Sequence, residues 1–452
     1  MSPAIRALPF AFAALALSAC GANGGLGPAT PLLSNFEHRA SSSAKIQHVV
    51  VIVQENRSFN DLFYGFPGAK TARYGYIGRQ RVKLLPVPLE TTWDIDHGSG
   101  AFFAACNGTG SIPGTNCRMN GFNKEQVGCG QGIGGPCPIK HPQYAYAPYS
   151  ETKPLFEIAK QYVLADRMYA SNFDGSSFVS HQYIIAGQSE SAVNYPFSLW
   201  GCPGGPGDKV AIVGRQRQIP QGYEVVCWDP TTLGDELDGA GASWAFYTSQ
   251  YKEPTSGLWS AYQAIKHIYK GADWKKDVIT PQTNFFDDVT KGKLRAVSWI
   301  TPTFANSDHA GNDSKTGPSW VTSLVNAIGE SQYWDSTAIF VIWDDYGGWY
   351  DSEPPAYADY DGLGVRLPML VVSAYAKKGH VSHVHFEHGT ILKFIEDQFG
   401  LGRLAASDMR ANPPDDAFDF SQAPRKFVPF QAPYDRSYFL HQPPDGRIPD
   451  PE

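Results

Sequence analysis

A chain of 452 residues is long enough to bury one large core or several smaller ones. Charged residues make up only 18% and the formal net charge is -7, a balance that disfavours a nucleic-acid partner. Aromatics at 13%, with 45 Gly and 34 Pro, exclude a fibrous or disordered chain and point to a compact, loop-rich one.

Arg6 precedes the apolar run Ala7 to Leu17, and L17-S-A-C20 follows. A basic start, a short apolar core and a small-residue cleavage point predict an export signal over residues 1–19. The run is too short to span a membrane. L-S-A-C resembles a bacterial lipobox, which predicts that Cys20 becomes a lipidated N-terminus. G21-A-N-G-G-L-G-P would be its flexible tether, in a linker over 20–43 that ends in Ser41, Ser42 and Ser43. The expected location is therefore periplasmic or cell-surface, with the membrane a partner through Cys20.

Six other cysteines remain: Cys106, Cys117, Cys129, Cys137, Cys202 and Cys227. An even number in an exported chain reads as disulfides, and short loops favour Cys106–Cys117, Cys129–Cys137 and Cys202–Cys227. The C-x2-C pairs typical of structural zinc are missing.

The first apolar run, residues 46–53, reads as a buried strand, with Ser58 as the cap of a following helix. Residues 85–150 are rich in Gly, Pro, aromatics and Cys, and read as a disulfide-pinned excursion over the active face. Y162-V-L-A-D-R is a further strand, and a helix is predicted from Phe178 to Ala186. Residues 200–260 form the second excursion. Strands follow at 294–300, 337–343 and 367–373, with helices at 319–330 and 389–399. Near-continuous Val, Ile and Leu without alternation fits parallel strands covered on both faces. The expected fold is α/β, with a mostly parallel central sheet and helices on both faces. No second linker interrupts it, so one catalytic domain is predicted over 44–440, followed by a Pro-rich tail over 441–452.

In such sheets ligands bind outside the carboxyl ends of the strands. Strand 46–53 delivers Glu55 and Asn56. Strand 337–343 delivers Asp344 and Asp345, then Tyr346-Gly347-Gly348. Strand 294–300 leads to His309. Oxygen donors gathered at one edge repel one another unless a cation sits among them. Such donors favour Ca²⁺, Mg²⁺ or Mn²⁺. In S171-N-F-D-G-S-S-F-V-S-H-Q-Y, small polar residues lead into a helix. A hydroxyl there suits a nucleophile beside a metal. N-capping by Ser176 or Ser177 is the other reading of the same residues.

Q54-E-N-R-S-F-N-D61, W343-D-D-Y-G-G-W-Y-D351 and S307-D-H309 together resemble the bacterial phosphoesterase family. That family includes phosphatidylcholine-hydrolysing phospholipases C and acid phosphatases, within the alkaline-phosphatase-like superfamily. The similarity runs from about residue 45 to 400. It implies one divalent metal held by Glu55, Asn56, Ser177, Asp344 and Asp345. It also implies that His97, in D94-I-D-H97, and His309 face the phosphate. Counting back from Gly187, with Tyr183 in register, places the nucleophile at Ser177. S177-F-V-S-H-Q lacks the Pro-Asn-Arg of the usual pattern, which leaves Ser176 and Ser180 as lesser candidates.

The implied substrate is a phosphate ester or phospholipid, cleaved through a phosphoseryl intermediate. The alternative is a non-catalytic lipoprotein that binds a phosphorylated ligand. The run H380-V-S-H-V-H-F-E-H388 looks like a second, softer metal cluster, with His385 and His388 its best members. Most such runs are solvated histidines on a surface loop, and that is the commoner reading here.

Overall fold

The computed structural model describes residues 45–129, 137–197, 200–249, 259–445 and 447. The predicted signal, Cys20 and the tether lie outside the described residues, as does most of the tail beyond residue 445. The nine strands of the central sheet are β1 (His48–Gln54), β2 (Val163–Tyr169), β3 (Trp244–Tyr247), β4 (Val278–Ile279), β5 (Val297–Ile300), β6 (Thr337–Trp343), β7 (Arg366–Ser373), β8 (His380–Ser382) and β9 (Phe386–Glu387). Their order is β4-β3-β5-β1-β6-β7-β2-β8, with β9 also paired to β2.

Every residue of β6 is buried, as are all but the first of β1. Both faces of these strands are therefore covered, which is why their sequences show no alternation. Five helices matter for the site: α1 (Phe59–Leu62), α2 (Tyr149–Gln161), α3 (Ser177–Ala186), α4 (Gly317–Gly329) and α5 (His388–Phe399). α4 packs on β1, β6 and α2, and α5 packs on α3. Ser58 caps α1 by accepting a bond from the Asp61 amide.

One strand corrects the expectation of parallel pairing. β7 runs antiparallel to both β6 and β2, whereas β1 is parallel to β5 and β6. The reason lies in its connection. Residues 344–365 contain no helix. A parallel return would need a crossover to the far edge, usually helical. This segment stays at the edge where β6 ends and feeds straight back. Two reversals then leave β2 pointing the same way as β6, so the C-terminal ends of β1, β2, β5 and β6 share one edge.

The predicted pairings Cys106–Cys117, Cys129–Cys137 and Cys202–Cys227 are all formed. They lie within the two segments read as excursions, but the second, 200–260, is not an excursion throughout: its β3 is built into the central sheet between β4 and β5.

Candidate active site

At the tip of β1 the chain turns sharply. Asn56 has φ 54°, in the left-handed region that Asn tolerates better than most residues. Its amide donates to Asp344 Oδ1 (3.1 Å), and the Asp344 amide donates to the Gln54 carbonyl (3.0 Å). The ends of β1 and β6 are thus laced together. Glycine lets the next turn close over them. Gly347 has φ 57°, and a Cβ there would lie 2.3 Å from the Asn56 carbonyl oxygen. At Gly348 a Cβ would lie 2.2 Å from Ile95 Cγ2. The Asp-Asp-Tyr-Gly-Gly run is therefore shaped to pass across the β1 tip and the segment carrying His97.

Ser177 opens α3, a short polar loop beyond the end of β2. Its hydroxyl donates to Asp345 Oδ2 (3.2 Å) and accepts from Asn56 Nδ2 (3.2 Å). Asn56 Nδ2 also lies 2.9 Å from His97 Nε2. His97 Nδ1 sits 2.6 Å from the Ile95 carbonyl, which can only accept, so this nitrogen carries the proton. The neutral ring therefore presents Nε2 as an acceptor. Six of the predicted residues, Glu55, Asn56, His97, Ser177, Asp344 and Asp345, form one buried cluster. His309 is adjacent: its ring centroid is 6.1 Å from that of His97. Ser176 instead hydrogen-bonds Asp174 Oδ2 (2.8 Å), and its side chain makes no cap bond to α3. Ser180 is buried on α3, and its hydroxyl has no hydrogen-bond partner.

The electrostatics are unfavourable for a bare site. Burial, and then the charge of Asp344, hold the Asp345 carboxyl well above its usual range. The donor set fits a divalent cation. Asp344 Oδ2 and Asn56 Oδ1 are buried and make no hydrogen bond. Ligand atoms of Glu55, Asp344 and His181 lie within 4.8 Å of one another. Oxygen-rich donors of this kind suit a hard or borderline ion.

His181 is absent from the predicted set. It stands four residues after Ser177, one helical turn along the same face of α3. That spacing is the signal that could have found it. Tyr195 is absent as well: its hydroxyl lies 3.1 Å from His97 Nε2 and accepts from the Ser177 amide (3.3 Å). Asp174, raised to about 6 mainly by burial, ties down the entrance to α3 through Ser176. Nothing in the spacing of Tyr195 or Asp174 marks it.

Arg57 proves structural. Buried and stacked 4.3 Å from the Trp349 ring centroid, it donates to Asp61 Oδ1 (3.1 Å) and to the Asp308 (2.6 Å) and Leu89 (3.0 Å) carbonyls. Arg366 pairs likewise with Asp351, at the end of the glycine turn (3.1 Å).

The histidines of 380–388 are not brought together. His380 pairs with Asp416 (2.8 Å), His383 with Asp166 (2.9 Å), and His385 stacks on Tyr169. His388 is buried and donates to the Trp343 carbonyl (3.2 Å), and burial lowers it to about 4.

Sheet and edge define an α/β protein with a buried polar cluster beyond the C-terminal ends of its strands. Residues 46–402 match the model of the Phosphoesterase family, and the chain belongs to that family. It is 23% identical over 434 residues to non-specific phospholipase C6 of Arabidopsis thaliana, covering 86% of this chain and 75% of that protein. It is 24% identical over 419 residues to the non-hemolytic phospholipase C of Pseudomonas aeruginosa, covering 80% of this chain and 55% of that one. Among solved structures it is similar to an alkaline phosphatase superfamily protein from Vibrio parahaemolyticus, at TM-score 0.37 and 10% identity, over 86% of this chain and 81% of that one.

Proposed function

We propose that this phosphoester hydrolase depends on a divalent metal, uses Ser177 as its nucleophile and acts as a phospholipase C-type phosphodiesterase. The observation that carries the reading is the position of the Ser177 hydroxyl. It opens a helix and is held between an amide from β1 and a carboxylate from β6. Glu55, Asn56, Ser177, Asp344 and Asp345 are the residues that would hold the ion. Bound there, it would favour the Ser177 alkoxide and neutralise charge on the phosphoryl oxygens.

Asp345, which accepts the Ser177 proton in its hydrogen bond, is placed to take it. Oγ then attacks phosphorus, an Oγ–P bond forms and the ester P–O bond breaks, giving a phosphoseryl enzyme. The leaving alkoxide needs a proton. His97 and His309 are positioned to bind phosphoryl oxygens, and one of them to supply that proton. Because His97 Nδ1 is committed to the Ile95 carbonyl, His97 donates from Nε2 only as an imidazolium. Water then cleaves the Oγ–P bond and restores the serine.

The phospholipase C names of its relatives support a phospholipid head-group ester as substrate. A small phosphomonoester, the acid phosphatase reading, is the competing outcome. The three disulfides support export. We place the protein outside the cytoplasm, anchored by lipid at Cys20. Among the described residues no helix is long and apolar enough to cross a membrane.

The test is hydrolysis of nitrophenyl phosphorylcholine and nitrophenyl phosphate, each with and without chelator. Turnover of the diester, abolished by chelator and by Ser177→Ala, is expected. Turnover of the monoester alone would make the protein a phosphatase. Unchanged turnover in Ser177→Ala would overturn the nucleophile.

A further inference from the structure

The expected ligands are all oxygen, but the structure adds a nitrogen. His181 Nε2 donates a hydrogen bond to Glu55 Oε1 at 3.0 Å, through a proton that a bound ion would replace, and lies 3.8 Å from Asp344 Oδ2. All three side chains are buried. Around an ion with bonds near 2.1 Å, neighbouring ligand atoms stand about 3.0 Å apart in an octahedron and about 3.4 Å in a tetrahedron. The His181–Glu55 separation matches the octahedral value, and the His181–Asp344 separation exceeds the tetrahedral one by about 0.4 Å. Asp344 Oδ2, the atom nearer His181, makes no hydrogen bond. Its sister Oδ1 already accepts from the Asn56 amide. Both oxygens of Asp345 are also engaged, Oδ1 by the Gly347 amide and Oδ2 by Ser177. Of that acidic pair, Asp344 Oδ2 is thus the one oxygen without a hydrogen bond, and it faces an imidazole.

We infer that His181 is a direct ligand of the divalent ion, and that this makes the site select a transition-series ion over Ca²⁺ or Mg²⁺. The inference rests on the metal-dependent reading above and deepens it. Imidazole nitrogen is a poor donor for Ca²⁺ and Mg²⁺ and a good one for Zn²⁺ or Co²⁺; Mn²⁺ prefers oxygen and serves below only as the spectroscopic probe. Placement on α3 has a second consequence. One rigid helix carries the nucleophile at its first residue and a ligand one turn later. The ion's position is therefore coupled to that of Ser177 Oγ without an intervening loop.

The test is made on the protein loaded with Mn²⁺ after chelator treatment. Electron spin-echo envelope modulation reads directly whether a nitrogen is bound. The wild type should show coordinated ¹⁴N. His181→Gln should lose it, while His97→Gln keeps it. In parallel, His181→Gln should bind Zn²⁺ or Co²⁺ at least about tenfold more weakly, with Ca²⁺ binding little changed. One equivalent of bound Mn²⁺ without ¹⁴N coupling, or coupling that survives in His181→Gln, overturns the inference and leaves the proposed function standing. Failure of the wild type to bind any of these ions overturns both. The wild-type spectrum needs no variant, so a misfolded His181→Gln does not rescue the idea.

Discussion

Two regions of this molecule are rich in ligand-type side chains, and only one forms a cluster. The segment 380–388 packs four histidines into nine residues. Folding sends each of them to a different partner. The site at the sheet edge draws Glu55 and Asn56, Ser177 and His181, and Asp344 and Asp345 from three stretches far apart in the chain. Density along the chain does not make a site. Convergence does, because parallel strands carry the residues just past their C-terminal ends to one edge. The run spans β8, the turn between β8 and β9, and the first residue of α5, and each histidine packs against a different neighbour of these elements.

The sharpest way to break this comparison is Ser177→Ala. If the strand-edge cluster is the site, kcat should fall on the order of 10³-fold or more, while Ser180→Ala should leave most activity. Single-turnover hydrolysis of nitrophenyl phosphorylcholine reads both. Next comes Asp344→Ala, which should reduce bound metal to well below one equivalent and remove activity with it. Metal analysis of the purified variant checks this.

A third test separates support from chemistry. Arg57→Leu leaves the buried Asp61 carboxylate without its cation, at a cost of about 3–5 kcal/mol of stability. Denaturant unfolding should show it. A loss confined to kcat would contradict the structural role given to Arg57.

Asp308 tests the same edge through pH. Burial raises its carboxyl to about 7 from an ordinary 3.8. Between those values the folded state binds more protons than the unfolded one, so this group makes stability fall as pH rises through the window. Asp308→Asn should flatten that fall, by at most a few kcal/mol. Melting temperatures across the window measure it, and an unchanged slope refutes the assignment. The smallest expected effect is His385→Ala. The exposed ring should be replaceable within about 0.5 kcal/mol and without change in kcat. A large loss of activity there would restore the histidine run as a site.

Much of the cluster is legible in the chain itself. Apolar runs with no alternation announce buried strands, and the polar residues just past them announce an edge. Glu55, Asn56, Asp344 and Asp345 are readable on that ground. Ser177 needs the pattern around it as well, because three serines stand within five residues. Tyr195 and Asp174 are not readable, since only the packing of loops against α3 gives them partners. In the sequence nothing marks Arg57 as buried or exposed. Packing against Trp349 decides it.

The amino-acid order alone suffices for five of the nine central strands, the disulfide pairs, the family and most of the polar cluster. Each of these rests on local periodicity, short loops or ordered motifs, which survive without coordinates. It takes the packed molecule to establish that β7 runs backwards, that His181 joins the carboxylates and that the histidine run disperses. Those outcomes depend on which elements lie side by side. Direction of pairing and contact across a helix are set by the whole sheet rather than by any one segment.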